Sequence, residues 1–239
     1  MEILNFIRNV SRLFNNNDYL PELRHEQTST ESIIKWLEKY YKQNNFEIQE
    51  LNLIGIRDTS DIRQDVINDW IGFWTKNEFF LTRGTTDPSV FWTKDASRNP
   101  NGTFHLACGF HEKIWIVGIH AEGRPGAHEA LVNRIQHCRP TRGWRDENYN
   151  FTKDPSEVEI SGYFGINLHR MHATQIVTKI GRYSAGCQVI QDPKKFAELL
   201  GHVKSTWMYQ GNNNIAFNYM LLNKSDIPSN ILDFITGVA

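Results

Sequence analysis

The sequence predicts an α+β protein whose body is mainly β. Helical apolar spacing is confined to the first 45 residues and to a stretch near 193–203. Between them runs a series of short aromatic or β-branched segments separated by turn signals. The bulk composition agrees. With 239 residues, 40% of them hydrophobic, and seven tryptophans, the chain can bury an ordered core without staples.

Taken in order, Ile3, Phe6, Ile7, Val10, Leu13 and Phe14 recur at helical spacing and predict a short amphipathic helix over 2–14, stopped by "NNND". Thr28 and Glu31 have the spacing of a capping box. They open a second helix with Ile33, Ile34, Trp36, Leu37, Tyr40 and Tyr41 on its apolar side, ending near residue 45. Both helices are expected to dock on the body; a membrane-surface role is the alternative. From residue 46 to about 190 the segments "FEIQELNLIGIR", "DWIGFW", "EFFLTR", "FHLACGF", "KIWIVGIH" and "YFGINLHR" read as strands. "TKNE", after Trp74, reads as a hairpin connection and "RNPNG" (98–102) as a turn. Asp192 is the expected N-cap of the next helix, with Pro193 at its first position. A last strand, "IAFNYMLL", follows "QGNNN". No internal repeat or linker divides the chain, so residues 1–45 form a helical segment and 46–239 one body.

A formal net charge of −1 gives no reason to expect nucleic acid or an anionic membrane as partner. No run approaches the roughly 18 apolar residues of a spanning helix. The N-terminus carries Glu2, lacks a continuous apolar core and has no small-residue cleavage site, so no secretory signal is expected. Three cysteines, Cys108, Cys138 and Cys187, form neither a disulfide framework nor a CxxC pair. No metal and no cofactor is expected.

The chemistry centres on "RYSAGCQVI" (182–190). Glycine before Cys187 leaves room for another molecule's carbonyl and lets the backbone turn sharply. In "YFGINLHR" a period of two puts Phe164, Ile166 and Leu168 on one face and Tyr163, Gly165, Asn167 and His169 on the other. His169 thus ends a strand on the polar side. A thiol attacks as thiolate, and a nearby imidazole is the usual activator. Ser184 is placed to orient that imidazole by accepting a hydrogen bond, and the amides of Gly186 and Cys187 to stabilise an oxyanion. Cys187 should then be the most reactive thiol, Cys108 inert in an apolar stretch, and Cys138, beside Arg139, its competitor.

His169, fourteen intervening residues, then Ser184-Ala185-Gly186-Cys187, resembles the signature of the L,D-transpeptidase catalytic-domain family. "NPNGTF" (99–104) is similar to the turn and strand that precede the histidine there. The resemblance covers roughly residues 50–200 and implies a β-sandwich catalytic body. It implies a cysteine enzyme acting on peptidoglycan stem peptides: Cys187 attacks a peptide carbonyl, His169 is the base, Ser184 its orienting partner, and a thioester results. An amine acceptor then gives a cross-link, and water gives carboxypeptidase or endopeptidase activity. The chain departs from the family at Arg170 (glycine there), at Ala185 (often histidine) and at Val189, where an arginine or asparagine stands. Arg170 or Arg182 is the expected replacement for that charge, with Tyr163, Asn167 and Gln188 as further substrate contacts. The absent signal fits a lytic enzyme that reaches the wall by release or non-classical export.

Two other classes compete. Histidines at 105, 111, 120 and 128 raise a zinc peptidase or amidase, although no HExxH occurs and His111 and His120 have opposite strand parity. The substitutions at Arg170 and Val189 raise a degenerate domain that binds wall peptides without turnover.

Overall fold

In a computed structural model, residues 29–60 and 65–238 are described. The helix expected over 2–14 and Thr28 of the expected capping box lie outside them. The first described helix, α1 (Thr30–Gln43), is capped by Ser29, whose hydroxyl accepts the Ser32 N–H at 3.3 Å. Glu31 pairs with Lys35 one turn on instead, at 2.9 Å. Ile33, Ile34, Leu37, Tyr40 and Tyr41 are buried, as the apolar spacing predicts.

The strands are β1 (Asn52–Arg57), β2 (Asp69–Trp74), β3 (Phe79–Thr85), β4 (Thr103–Leu106), β5 (Gly109–His120), β6 (His128–Val132), β7 (Thr141–Asp146), β8 (Ile160–Gly162), β9 (Leu168–Arg170), β10 (Gln188–Ile190) and β11 (Phe217–Asn223). Eight of them close into a barrel, in the order β1-β11-β5-β6-β9-β10-β3-β2, and β4, β7 and β8 form a separate sheet. The class is α+β and β-rich, but a closed barrel stands where the resemblance implied a sandwich. Only β1/β11 and β9/β10 pair in parallel within the barrel. The β2–β3 hairpin turns at the expected place, with Thr75 N–H donating to Glu78 O at 2.8 Å.

Both faces of the barrel wall are apolar at β1, β2 and β11, which explains why these strands read as continuous runs. Leu53, Ile71, Phe73, Tyr219 and Leu221 share one core with Phe196, Leu199, Leu200 and Val203 of α3 (Pro193–Ser205). Their alternates Ile54, Ile56, Trp70, Trp74, Met220 and Leu222 pack with α1 and with α5 (Ser229–Val238). Asp192 caps α3 as expected, accepting Lys194 N–H at 2.8 Å. The described residues also include the short helices α2 (Val90–Thr93) and α4 (Trp207–Gly211) and a 3-10 turn at Lys224–Asp226.

Three expectations change. "FHLACGF" is not one strand: Gly109, at φ +122°, separates β4 from β5 and sends them to different sheets. "YFGINLHR" is strand only from Leu168, because Gly165 at φ +72° turns the chain. And α5 was not expected, although Ile231 and Ile235, one turn apart after Pro228, carry its buried stripe.

A buried ionic network joins β1, β2 and the segment after β3. Arg57 donates to Thr86 Oγ1 (3.0 Å), Thr86 O (2.7 Å) and Leu106 O (2.9 Å), and pairs with Asp87 at 3.1 Å. Asp69 accepts from the amides of Asp58 and Thr86, both at 2.6 Å, and from Thr86 Oγ1 at 2.8 Å. His105, stacked on Trp144, meets Asp87 through Nδ1 at 3.2 Å. Burial alone would raise the Asp87 carboxyl, but Arg57 and then His105 outweigh it and hold it below the usual carboxylate range. Burial, then the charge of Asp87, pushes Asp69 up to about 7.

Removing one partner of such a network leaves an uncompensated buried charge. Arg57→Met is therefore expected to lower unfolding stability by about 3–5 kcal/mol. Urea titration at pH 7 measures it, and a loss under about 1 kcal/mol would show that the network does not hold the fold.

Candidate active site

The segment 85–93 anchors the loop that carries Cys187. Ser89 N–H donates to Ser184 O at 2.9 Å and Trp92 Nε1–H to Arg182 O at 3.1 Å. The Ser184 hydroxyl lies 2.9 Å from Asp87 O and 2.8 Å from Cys187 O, and accepts the Gly186 N–H at 3.2 Å. Gly186 sits at φ +125°, and a Cβ built there would lie 2.3 Å from the carbonyl oxygen of Phe104. Only glycine fits. The glycine makes room for the protein's own β4 backbone, whereas the sequence suggested room for a substrate.

Past the loop, β10 runs parallel to β9 with Val189 opposite His169 and Gln188 opposite Leu168. Cys187, one residue ahead of β10, lies beside Asn167, whose amide points at Sγ across 3.5 Å. Sγ also approaches Gly165 O at 3.7 Å. Register partners project to one side of a strand pair, so Val189 and His169 share a face, and Cys187 and Asn167 each stand one residue ahead of those strands. His169 is 3% exposed; its Nδ1–H meets Arg170 O at 2.8 Å, which leaves the lone pair on Nε2, buried and without a hydrogen-bond partner.

Burial, followed by the neighbouring His120, pushes the His169 imidazole down to about 3. Burial pushes the Cys187 thiol up to about 11, partly offset by the Asn167 N–H. The resting pair is therefore a neutral thiol and a neutral imidazole, with no hydrogen bond between them. This corrects the expected exposed thiolate. Cys108 is likewise raised by burial to about 11. Cys138 is buried and raised, and its expected activator Arg139 pairs with Glu112 at 3.1 Å.

Other expected roles move as well. Ser184 does not touch the imidazole: the Arg170 carbonyl fixes that ring, and Ser184 ties the loop together. Of the two expected oxyanion donors, the Gly186 amide is committed to Ser184, leaving the Cys187 amide. Gln188 is buried on the opposite side, donating to Thr86 O at 3.1 Å and accepting the Tyr219 hydroxyl at 2.9 Å, so it contacts no substrate. Tyr163 donates to Cys138 O at 2.9 Å. Arg182 is exposed, 4.8 Å over the Phe91 ring. Arg170 is half-buried, and its charge bears on His169 and His128.

Two residues near the pair were weighed in the sequence only as candidate zinc ligands. His120 and His128 face each other across the β5–β6 hairpin. The His120 ring stacks on His169, with centroids 3.9 Å apart and planes 19° apart. The signal was the histidine cluster, but the comparison made there was His111 with His120 rather than His120 with His128. His105 and His111 lie elsewhere, bound to Asp87 and to Ala107 O. Among the described residues no group of three or more His, Cys, Asp or Glu is arranged to hold a metal ion.

No family model matches the chain, and no curated protein matches it. Among solved structures, an L,D-transpeptidase from Mycobacterium smegmatis is similar at 12% identity, covering 72% of this chain and 58% of that one, with a TM-score of 0.25. The chain thus spans less than two thirds of that protein. At this score the likeness carries no argument. Among the described residues, no helix is long and apolar enough to cross a membrane.

Two outcomes follow from this geometry. Gly186→Ala should cost more than about 2 kcal/mol in urea unfolding, because strain and overlap coincide. Unchanged stability would mean the loop is not seated against β4. The second concerns pH. His111 and His120 are each pushed down to about 4 and His169 to about 3, all chiefly by burial. The unfolded chain binds these protons near pH 6.5, so their stabilisation is complete above that pH and is lost as pH falls toward these values. Asp69 acts oppositely, its contribution fading as pH rises from about 4 to about 7. Four histidines, His128 being lowered chiefly by burial as well, outweigh the two raised carboxyls of Asp69 and Asp226, so the urea midpoint should fall between pH 6.5 and 4.5, and His120→Asn should flatten that slope. A midpoint rising on acidification would contradict the buried neutral histidines.

Proposed function

We propose that this chain is a cysteine-dependent enzyme acting on peptidoglycan stem peptides through a thioester on Cys187. The observation that supports the reading is the parallel β9/β10 register, in which Cys187 directly precedes the strand paired with His169, whose Nε2 lone pair is uncommitted. The order of His169 and Ser184-Ala185-Gly186-Cys187 in the sequence supports the same reading.

The Arg170 carbonyl holds the proton of His169 on Nδ1, so Nε2 is the basic nitrogen. As a peptide carbonyl enters, the Cys187 S–H proton passes to His169 Nε2 and sulfur forms a bond to carbon. The Asn167 amide stabilises charge developing on sulfur, and the Cys187 amide that on the carbonyl oxygen. Collapse of the tetrahedral adduct breaks the C–N bond, and the proton on His169 leaves with the amine. Water or a second amine then attacks the thioester, giving hydrolysis or a cross-link. The neutral resting pair means that charge separates only during attack, inside a sheltered site where fixed dipoles act strongly. Arg170 and Arg182 are the cations available to a substrate carboxylate. Ser184 acts on the loop rather than on the imidazole.

Incubation with purified sacculi, followed by mass spectrometry of released muropeptides, tests the reading. The wild-type chain should shorten or re-link stem peptides, Cys187→Ala should do neither, and His169→Ala should be slower by about a hundredfold or more. Muropeptide changes that persist in Cys187→Ala would end the cysteine reading, and loss of activity on treatment with EDTA would favour a zinc enzyme.

A further inference from the structure

His169 has one hydrogen bond of its own, from Nδ1 to the carbonyl of the next residue, and that bond leaves the plane of the ring to be set by its neighbours. The ring lying on it is His120, 3.9 Å between centroids and 19° from parallel. His120 is in turn fixed by Asn167. The Asn167 Oδ1 accepts the Asn133 N–H at 2.9 Å, so its Nδ2 is the donor that meets His120 Nδ1 at 3.1 Å. The proton of neutral His120 therefore sits on Nε2. The same Asn167 directs its backbone N–H at Cys187 Sγ and accepts the Gln188 N–H at 2.9 Å. One residue thus sets the sulfur through its backbone and the ring beneath the base through its side chain.

We propose that His120 is a positioning residue for His169, held in place by Asn167, so that nucleophile and base are located by the one residue that precedes β9; this rests on the cysteine–histidine reading above. His120 touches neither sulfur nor substrate in this scheme. It acts through the base. A flat ring at position 120 supplies most of the effect, and truncation lets the imidazole tilt away from the thiol.

The test is the rate at which iodoacetamide modifies Cys187 in the full chain at neutral pH, followed by peptide mapping, with circular dichroism confirming the fold. His120→Ala should slow modification by about tenfold, since small misplacements of a reacting group are costly. His120→Phe should recover to within about threefold, and Asn167→Ser, which keeps the backbone contacts, should show a partial loss. The decisive comparison is the double variant. His120→Ala combined with His169→Ala should react no more slowly than His169→Ala alone, because a residue acting through the base has nothing left to position. Wild-type reactivity in His120→Ala and Asn167→Ser, or additive slowing in the double variant, would overturn the proposal while leaving the pair intact. If His169→Ala itself fails to slow modification, the pair reading falls and this proposal falls with it.

Discussion

The placement of the candidate site depends on the Arg57–Asp87 contact. Both side chains are almost completely buried, and the guanidinium also satisfies two backbone carbonyls, from Thr86 and Leu106. A buried pair gains little over an apolar replacement, but losing one member strands the other, so the contact acts as a specification of geometry. What it specifies is the path of residues 86–89. That path presents Asp87 O and Ser89 N–H to Ser184, and through Ser184 it holds the turn before Cys187. The buried charged network and the Cys187 loop are thus one mechanical unit.

Burial then decides the chemistry of the pair. In open water a cysteine beside an imidazole would exchange its proton readily. Here desolvation disfavours both charged forms at once, raising the thiol and depressing the ring. The stacked His120, neutral for the same reason, keeps a competing charge away from His169. On the proposed reading the pair is latent and separates charge when a substrate brings a carbonyl to it.

Much of this was legible in the sequence. The apolar stripe of α1, the hairpin after Trp74, the Asp192 cap and the last strand follow from local spacing and turn chemistry, and the structure has them where the residues place them. The order His169, Ser184, Gly186, Cys187 drew attention to the β9–β10 pair and the loop before it. What local pattern did not carry is closure and pairing. Nothing in "FHLACGF" tells that its two halves belong to different sheets, and nothing near Cys187 tells that Gly186 faces the Phe104 carbonyl. The partners of Ser184 and Gln188 are long-range in sequence. So their roles, read from neighbours in the chain, came out as orienting and substrate-binding when they are loop-holding and interior. The His120–His169 stack joins residues 49 positions apart, through a β5–β6–β9 connection that no short motif encodes.

The central claim is that sulfur of Cys187 carries the acyl group. Brief reaction with purified muropeptides, an acid quench and intact-mass analysis of the protein would detect that species, with peptide mapping to locate it. The account predicts a mass gain matching an acylated stem peptide, confined to the peptide containing Cys187 and released by hydroxylamine as a thioester must be. Turnover of muropeptides without any adduct on that peptide, or an adduct on a hydroxyl that hydroxylamine leaves in place, would contradict it.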